Sequence, residues 1–140
     1  MLPLLVSVLI YQGDVDTDFV KVKFPENKIY VYAKKATIYF DFDSHEVKKE
    51  EADKLRIFGG GEEVIVSGFA SPEGSRAYNY SLSEKRALNV ADILRKRRVM
   101  VRSISAEGED HCWAEGKRFF KECRKVEVEE FHGEESFDLP

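Results

Sequence analysis

Gly68-Phe69-Ala70-Ser71-Pro72-Glu73-Gly74-Ser75-Arg76-Ala77-Tyr78-Asn79-Tyr80-Ser81-Leu82-Ser83-Glu84-Lys85-Arg86-Ala87 is the stretch on which the fold turns. It continues Val64-Ile65-Val66-Ser67, a nearly unbroken apolar run of the kind that forms a strand buried on both faces. Ser71 to Arg76 is polar and contains Pro72 and Gly74, so it reads as a loop. Ser81 and Glu84 have the spacing of a capping box, which predicts a helix from about Leu82 to Arg97.

On the N-terminal side, Ala36 to Phe42 is rich in β-branched and aromatic residues and reads as a strand. Asp43 and Glu46 make a second capping box, so a helix is expected to start there and to bury Val47, Leu55 and Phe58. Gly59-Gly60-Gly61 should end it, because three glycines cost a helix too much and supply a left-handed turn. Phe19 to Phe24 and Ile29 to Tyr32 read as two strands of a hairpin in front of the main domain, with Glu26-Asn27 as its turn. On the C-terminal side, Ile104 to Gly108 is a short core strand and Val126 to Glu129 alternates as a strand with one wet face. Between them Cys112 to Cys123 is mixed, with a short helix around Phe119 and Phe120. The order β-α-β-α-β-(α)-β behind a β-hairpin is an α+β pattern, a sheet with helices packed on it.

Arg86 breaks the helical pattern. On a wheel with Leu82 at zero it falls at roughly 40°, inside the arc that holds Ile93, Val90, Leu94 and Ala87. It also sits in the early turns of its helix, where the dipole offers a cation nothing. A guanidinium so placed needs a partner, since an unpaired buried charge is expensive. The partner is either an internal carboxylate, with Asp41, Asp43 and Glu73 in reach of the argument, or the carboxylate of a ligand, which arginine grips with two parallel hydrogen bonds.

Other function classes find little support. With 140 residues, 43% hydrophobic and 34% charged, the chain is globular and the size of one domain. A net charge of −4 and a pI near 5.5 argue against nucleic acid. The basic run Arg95 to Arg98 complements the end of a helix. His45, His111, His132 and the two cysteines lack metal-ligand spacing, so neither metal nor cofactor is expected. No Gly-x-Ser-x-Gly elbow or phosphate loop occurs, and Asp41 and Asp43 alternate across a strand end, so no enzyme is expected. Leu2 to Tyr11 is an apolar run that can be a signal segment, a buried first strand or the result of a misplaced start. Cys112 and Cys123 would pair in an exported protein and stay thiols in a cytoplasmic one.

Several motifs in order carry a resemblance. The stretch from Gly68 to Ala87 resembles the signature of OmpA-like domains: a Gly-aromatic-small turn, Gly-Ser, Tyr-Asn, Leu-Ser and Arg-Ala. Ile38-Tyr39-Phe40-Asp41-Phe42-Asp43-Ser44 is similar to that family's first strand and turn, and Arg124-Lys125-Val126-Glu127-Val128 to its closing strand. The resemblance implies a two-layer sandwich with helices on one side of the sheet. It divides the chain into an apolar segment 1–13, a hairpin extension 14–34, the OmpA-like domain 35–131 and an acidic tail 132–140. It also implies a domain in the periplasm or at the outer membrane that binds the peptide stem of peptidoglycan through its diaminopimelate residue. In that setting Cys112 and Cys123 are a disulfide pair. Carried over by position, Arg86 grips a ligand carboxylate, Asn79 supports the loop or donates to the ligand, Asp41 lines the pocket, and Leu82 and Ser83 offer backbone groups. Ser71 stands where most relatives have an aspartate for the ligand ammonium, which leaves Glu73 or Asp41 to supply the charge. The competing expectation is an envelope protein-interaction module that has lost wall binding, with other envelope proteins as partners.

Overall fold

Val64, Val66 and Gly68 alternate toward one face of a strand, and the computed structural model turns that face onto a long helix. It describes residues 17–24 and 29–132. The apolar N-terminal run, the turn expected at Glu26-Asn27 and the acidic tail beyond His132 lie outside them. The elements run β1 (Thr17–Phe24), β2 (Ile29–Tyr39), α1 (Lys49–Ala52) continued by a 3-10 turn (Asp53–Ile57), β3 (Glu63–Gly68), α2 (Arg76–Lys96), β4 (Met100–Ala106), a second 3-10 turn (Lys117–Cys123) and β5 (Lys125–Glu130).

The described strands form one sheet in the order β1-β2-β5-β3-β4. β5 pairs antiparallel with β2 and β3, while β3 and β4 are parallel and joined by the α2 crossover. Register explains the two faces. Ala36 faces Val128, Ile38 faces Val126, and Val66 and Gly68 face the same two valines from the other side. These residues pack with Leu55, Phe58, Ala87, Val90 and Leu94, so one face of the sheet carries the helices. The opposite face shows Lys35, Thr37, Ser67, Glu127 and Glu129. This is the α+β architecture expected from the sequence.

Helix and sheet are in close contact at Gly68. A Cβ there would sit 2.1 Å from the Ser83 carbonyl oxygen and 3.0 Å from the Ala87 Cβ. Ser83 locks the same spot, donating to the Tyr80 carbonyl at 2.8 Å and accepting from the Gly108 amide at 2.9 Å.

Several boundaries differ from expectation. The strands expected at 29–32 and 36–42 are one strand ending at Tyr39. The lysines between them do not interrupt it, because Lys34 Nζ reaches Glu62 at 2.8 Å and the Ile57 carbonyl at 2.9 Å. Asp43 caps no helix. It adopts φ 53°, and the helix begins only at Lys49. The reason is tertiary: the carbonyls of Ser44 and His45, which a helix would use, are taken by Arg86 and Asn89. α2 starts six residues earlier than its expected Leu82, capped by Ser75, whose hydroxyl accepts from the Tyr78 amide at 3.1 Å. Trp113 is 80% exposed. Cys112 and Cys123 form a disulfide with a Cα–Cα distance of 5.5 Å.

Candidate functional site

The middle of α2 brings Arg86 beneath the ends of β2 and β3, where it is 0% exposed. Because the helix starts at Arg76, the residue lies beyond the early turns expected from the sequence. Its partners are neither of the two expected kinds. Nε donates to the Ser44 carbonyl at 2.7 Å, Nη1 to Phe69 at 3.0 Å and Nη2 to Asp41 at 3.2 Å. Its Cζ stands 5.3 Å from the centre of the Phe40 ring. No carboxylate pairs with it among the described residues. Carbonyl dipoles offset only part of a unit charge. Burial therefore pushes the guanidinium down to about 10, with Arg124 acting in the same direction and Asp43 opposing. At neutral pH the group is still cationic.

Beside it opens a cleft of about 250 Å³. Phe42 and Asp43 form one wall, Ser71, Glu73 and Gly74 the loop side, and Tyr78, Asn79 and Leu82 the helix side. Gly74 adopts φ +96°, a conformation that brings the loop round to the start of α2 without strain. The Ser71 hydroxyl donates to Glu73 Oε1 at 2.6 Å, and Arg124 Nη2 donates to the same oxygen at 3.0 Å. Arg124 Nε also reaches Ser71 Oγ at 3.3 Å. The hydrogen bond from Ser71, aided by Arg124 and by the charge of Lys117, holds the Glu73 carboxyl below its usual range against partial burial. Its second oxygen has no hydrogen-bond partner among the described residues. Across the cleft Tyr78 donates its hydroxyl hydrogen to Asp43 Oδ1, which raises the tyrosine pKa.

Of the residues singled out from the sequence, Ser71, Glu73, Asn79 and Leu82 line the cleft, and Arg86 lies close behind it. Asn79 is committed inward, its Nδ2 donating to Glu109 Oε1 at 2.7 Å. Ser83 is internal, and its hydroxyl serves the Tyr80 and Gly108 backbone. Asp41 does not line the cleft. Its carboxylate is exposed and pairs with Lys48 Nζ at 2.9 Å, while only its carbonyl serves Arg86. Phe42, Asp43 and Tyr78 went unremarked as site residues. Their signal was the Phe40-Asp41-Phe42-Asp43 alternation, whose second aspartate looked like a helix cap. No three His, Cys, Asp or Glu side chains are grouped to hold a metal among the described residues.

The sequence profile of the OmpA family matches residues 39–117, from the end of β2 through the cleft to the disulfide loop. The chain belongs to the OmpA family. Outer membrane protein 41 of Porphyromonas gingivalis is 39% identical over 62 residues, which are 41% of this chain and 16% of that protein. The peptidoglycan-associated lipoprotein of Pseudomonas aeruginosa is 36% identical over 56 residues, 36% of this chain and 33% of that protein. The match thus spans a third or less of either relative. Among solved structures, the peptidoglycan-associated lipoprotein from Burkholderia pseudomallei superposes with a TM-score of 0.55 at 21% identity, covering 68% of this chain and 89% of that one, which shows the common fold. The relatives of this OmpA family domain are named as outer-membrane and peptidoglycan-associated proteins. No described helix is long and apolar enough to cross a membrane.

Proposed function

We propose that this OmpA family domain binds the diaminopimelate-type peptide stem of peptidoglycan in the cleft, non-covalently and without catalysis, and so anchors an envelope component to the wall from the periplasm or outer membrane. The observation that carries the reading is the pair Ser71–Glu73. Where the family resemblance leads one to expect an aspartate, Ser71 passes a hydrogen bond to Glu73, which faces the cleft as an ionised carboxylate with one oxygen unpartnered. Glu73 with Asp43 suits a ligand ammonium. Arg86 and the N-terminal end of α2 favour a ligand carboxylate on the other side, acting through their field because the guanidinium is covered. No cofactor is needed. The name of the Pseudomonas relative agrees with this reading.

The test is co-sedimentation of the domain with purified sacculi, with wild type, Glu73→Ala and Glu73→Gln compared at equal folded concentration. Wild type should pellet and both variants should stay largely in the supernatant. Equal pelleting by Glu73→Ala would remove Glu73 from the site. One observation favours a second reading: each of the three Arg86 guanidinium nitrogens already donates to a backbone carbonyl of this chain. That is the pattern of a scaffold that has given up wall binding to hold another envelope protein. A folded wild type that leaves both sacculi and stem peptide unbound would select it.

A further inference from the structure

At the same end of the sheet, on the face that carries no helix, a second pocket of about 380 Å³ lies between the strand ends and the disulfide loop. Tyr39, Lys125 and Phe69 point to this face because their neighbours Ile38, Val126 and Gly68 point to the core. The loop adds His111 and Trp113, and the Cys112–Cys123 bridge closes the wall. The rings form a chain: Phe69 and His111 meet edge to face at 6.4 Å, and His111 and Trp113 at 6.2 Å. Lys125 Nζ stands 5.2 Å above the Phe69 ring. Glu122 lines the pocket and has no ion-pair or hydrogen-bond partner among the described residues.

This lining differs from that of an apolar docking groove. Aromatic faces alternate with a carboxylate, an ammonium and an imidazole, and the volume falls in the range of a site for one small ring. Aromatic faces carry negative charge density, which attracts the polarised C–H face of a pyranose, while charged groups at the rim can bond its hydroxyl and acetamido groups. An indole 80% exposed beside a covalent cross-link is a platform held in place without a protein neighbour covering it. The pocket and the cleft also share one segment of chain. Phe69 and Ala70 line the pocket and Ser71 lines the cleft, so the two openings are separated by on the order of 7 Å of backbone.

We propose that this pocket is a second binding site, which takes an N-acetylhexosamine ring of the wall glycan while the cleft takes the peptide. The identity of the glycan rests on the wall-binding reading; the sugar chemistry rests on the pocket alone. The chain has one tryptophan, so indole emission reports on this pocket only. The full domain is titrated with the β-1,4-linked trimer of N-acetylglucosamine, which carries no peptide, with sorbitol as a control and a diaminopimelate-containing tripeptide in a separate calorimetric titration. The trimer should shift the emission saturably, sorbitol should not, and Glu73→Ala should leave the response unchanged. By calorimetry Trp113→Ala, a change at an exposed side chain, should weaken trimer binding about tenfold. No saturable shift in folded protein, an equal shift with sorbitol, or undiminished trimer affinity in Trp113→Ala overturns the proposal. Tripeptide binding without trimer binding defeats the sugar site alone. Trimer binding without tripeptide binding upholds it and defeats the cleft.

Discussion

Replacing Arg86 with alanine tests how the top of the domain is held together. The guanidinium bonds three carbonyls, from Asp41, Ser44 and Phe69, on two separate segments that approach α2. Hydrogen bonds from a charged group contribute roughly 1.5–3 kcal/mol each, and a buried carbonyl left unsatisfied costs about 1–3 kcal/mol. Water can enter through the neighbouring cleft and satisfy part of what is lost, so the sum is smaller than three full bonds. Arg86→Ala should therefore cost about 3–6 kcal/mol, a large share of the roughly 5–15 kcal/mol that holds a domain together. Arg86→Lys, which keeps the charge but forks to fewer acceptors, should lose about half of that. Urea unfolding followed by far-ultraviolet circular dichroism gives both values. A loss under about 1 kcal/mol in Arg86→Ala would show that the three carbonyls do not depend on the guanidinium, and the account of the site would fall with it. The same number governs any binding experiment on Arg86, because a loss of sacculus binding has meaning only at a matched folded fraction.

Gly68→Ala places a methyl 2.1 Å from a helix carbonyl, and neither backbone can yield cheaply; unfolding should show a loss of about 2–4 kcal/mol, and a loss under 1 kcal/mol would mean the helix simply lifts. Glu73 has a folded-state pKa below its ordinary 4.5, so its contribution to stability is complete above that value and lost as pH falls through the folded pKa. Urea midpoints across this acid range should fall less steeply in Glu73→Gln than in wild type, and identical slopes would contradict the hydrogen bond from Ser71. Reducing the Cys112–Cys123 bridge, which spans a sequence separation of 11, should lower stability by about 2–3 kcal/mol in calorimetry, and an unchanged transition would refute it.

What was legible in the sequence was what short-range pattern encodes. The alternation of Val126 to Glu129 and the arc of Leu82, Val90 and Leu94 each specify a face, and each face is buried or wet as the period requires. The apolar run 64–66, by contrast, reads as a strand covered on both faces and is buried only at Val64 and Val66, because the other face of the sheet carries no helix. Arg86 stood out on the wheel because a charge in an apolar arc needs explaining. Its partners did not show, because main-chain carbonyls have no letter in a sequence. For the same reason Asp43 passed for a cap: its spacing to Glu46 is right, but the Ser44 and His45 carbonyls a helix would need are claimed by Arg86 and Asn89, 42 and 44 residues away. Ser75 was overlooked as the true cap because Tyr78-Asn79-Tyr80 lacks the apolar spacing that marks a first turn. Asp41 and Asp43 are equivalent candidates on paper, and only the turn between them decides which one meets the cleft.

The position of β5 concentrates the cohesion of the sheet in one strand. The fifth described strand is the middle one, and its valines are fully buried. Without residues 125–130, β1–β2 and β3–β4 would share no backbone ladder, and only side-chain packing and contacts such as those of Lys34, Arg86 and Asn89 would join them. β5 thus carries both backbone ladders that join the two halves, so a change that loosens this one strand would open the sheet at two seams at once.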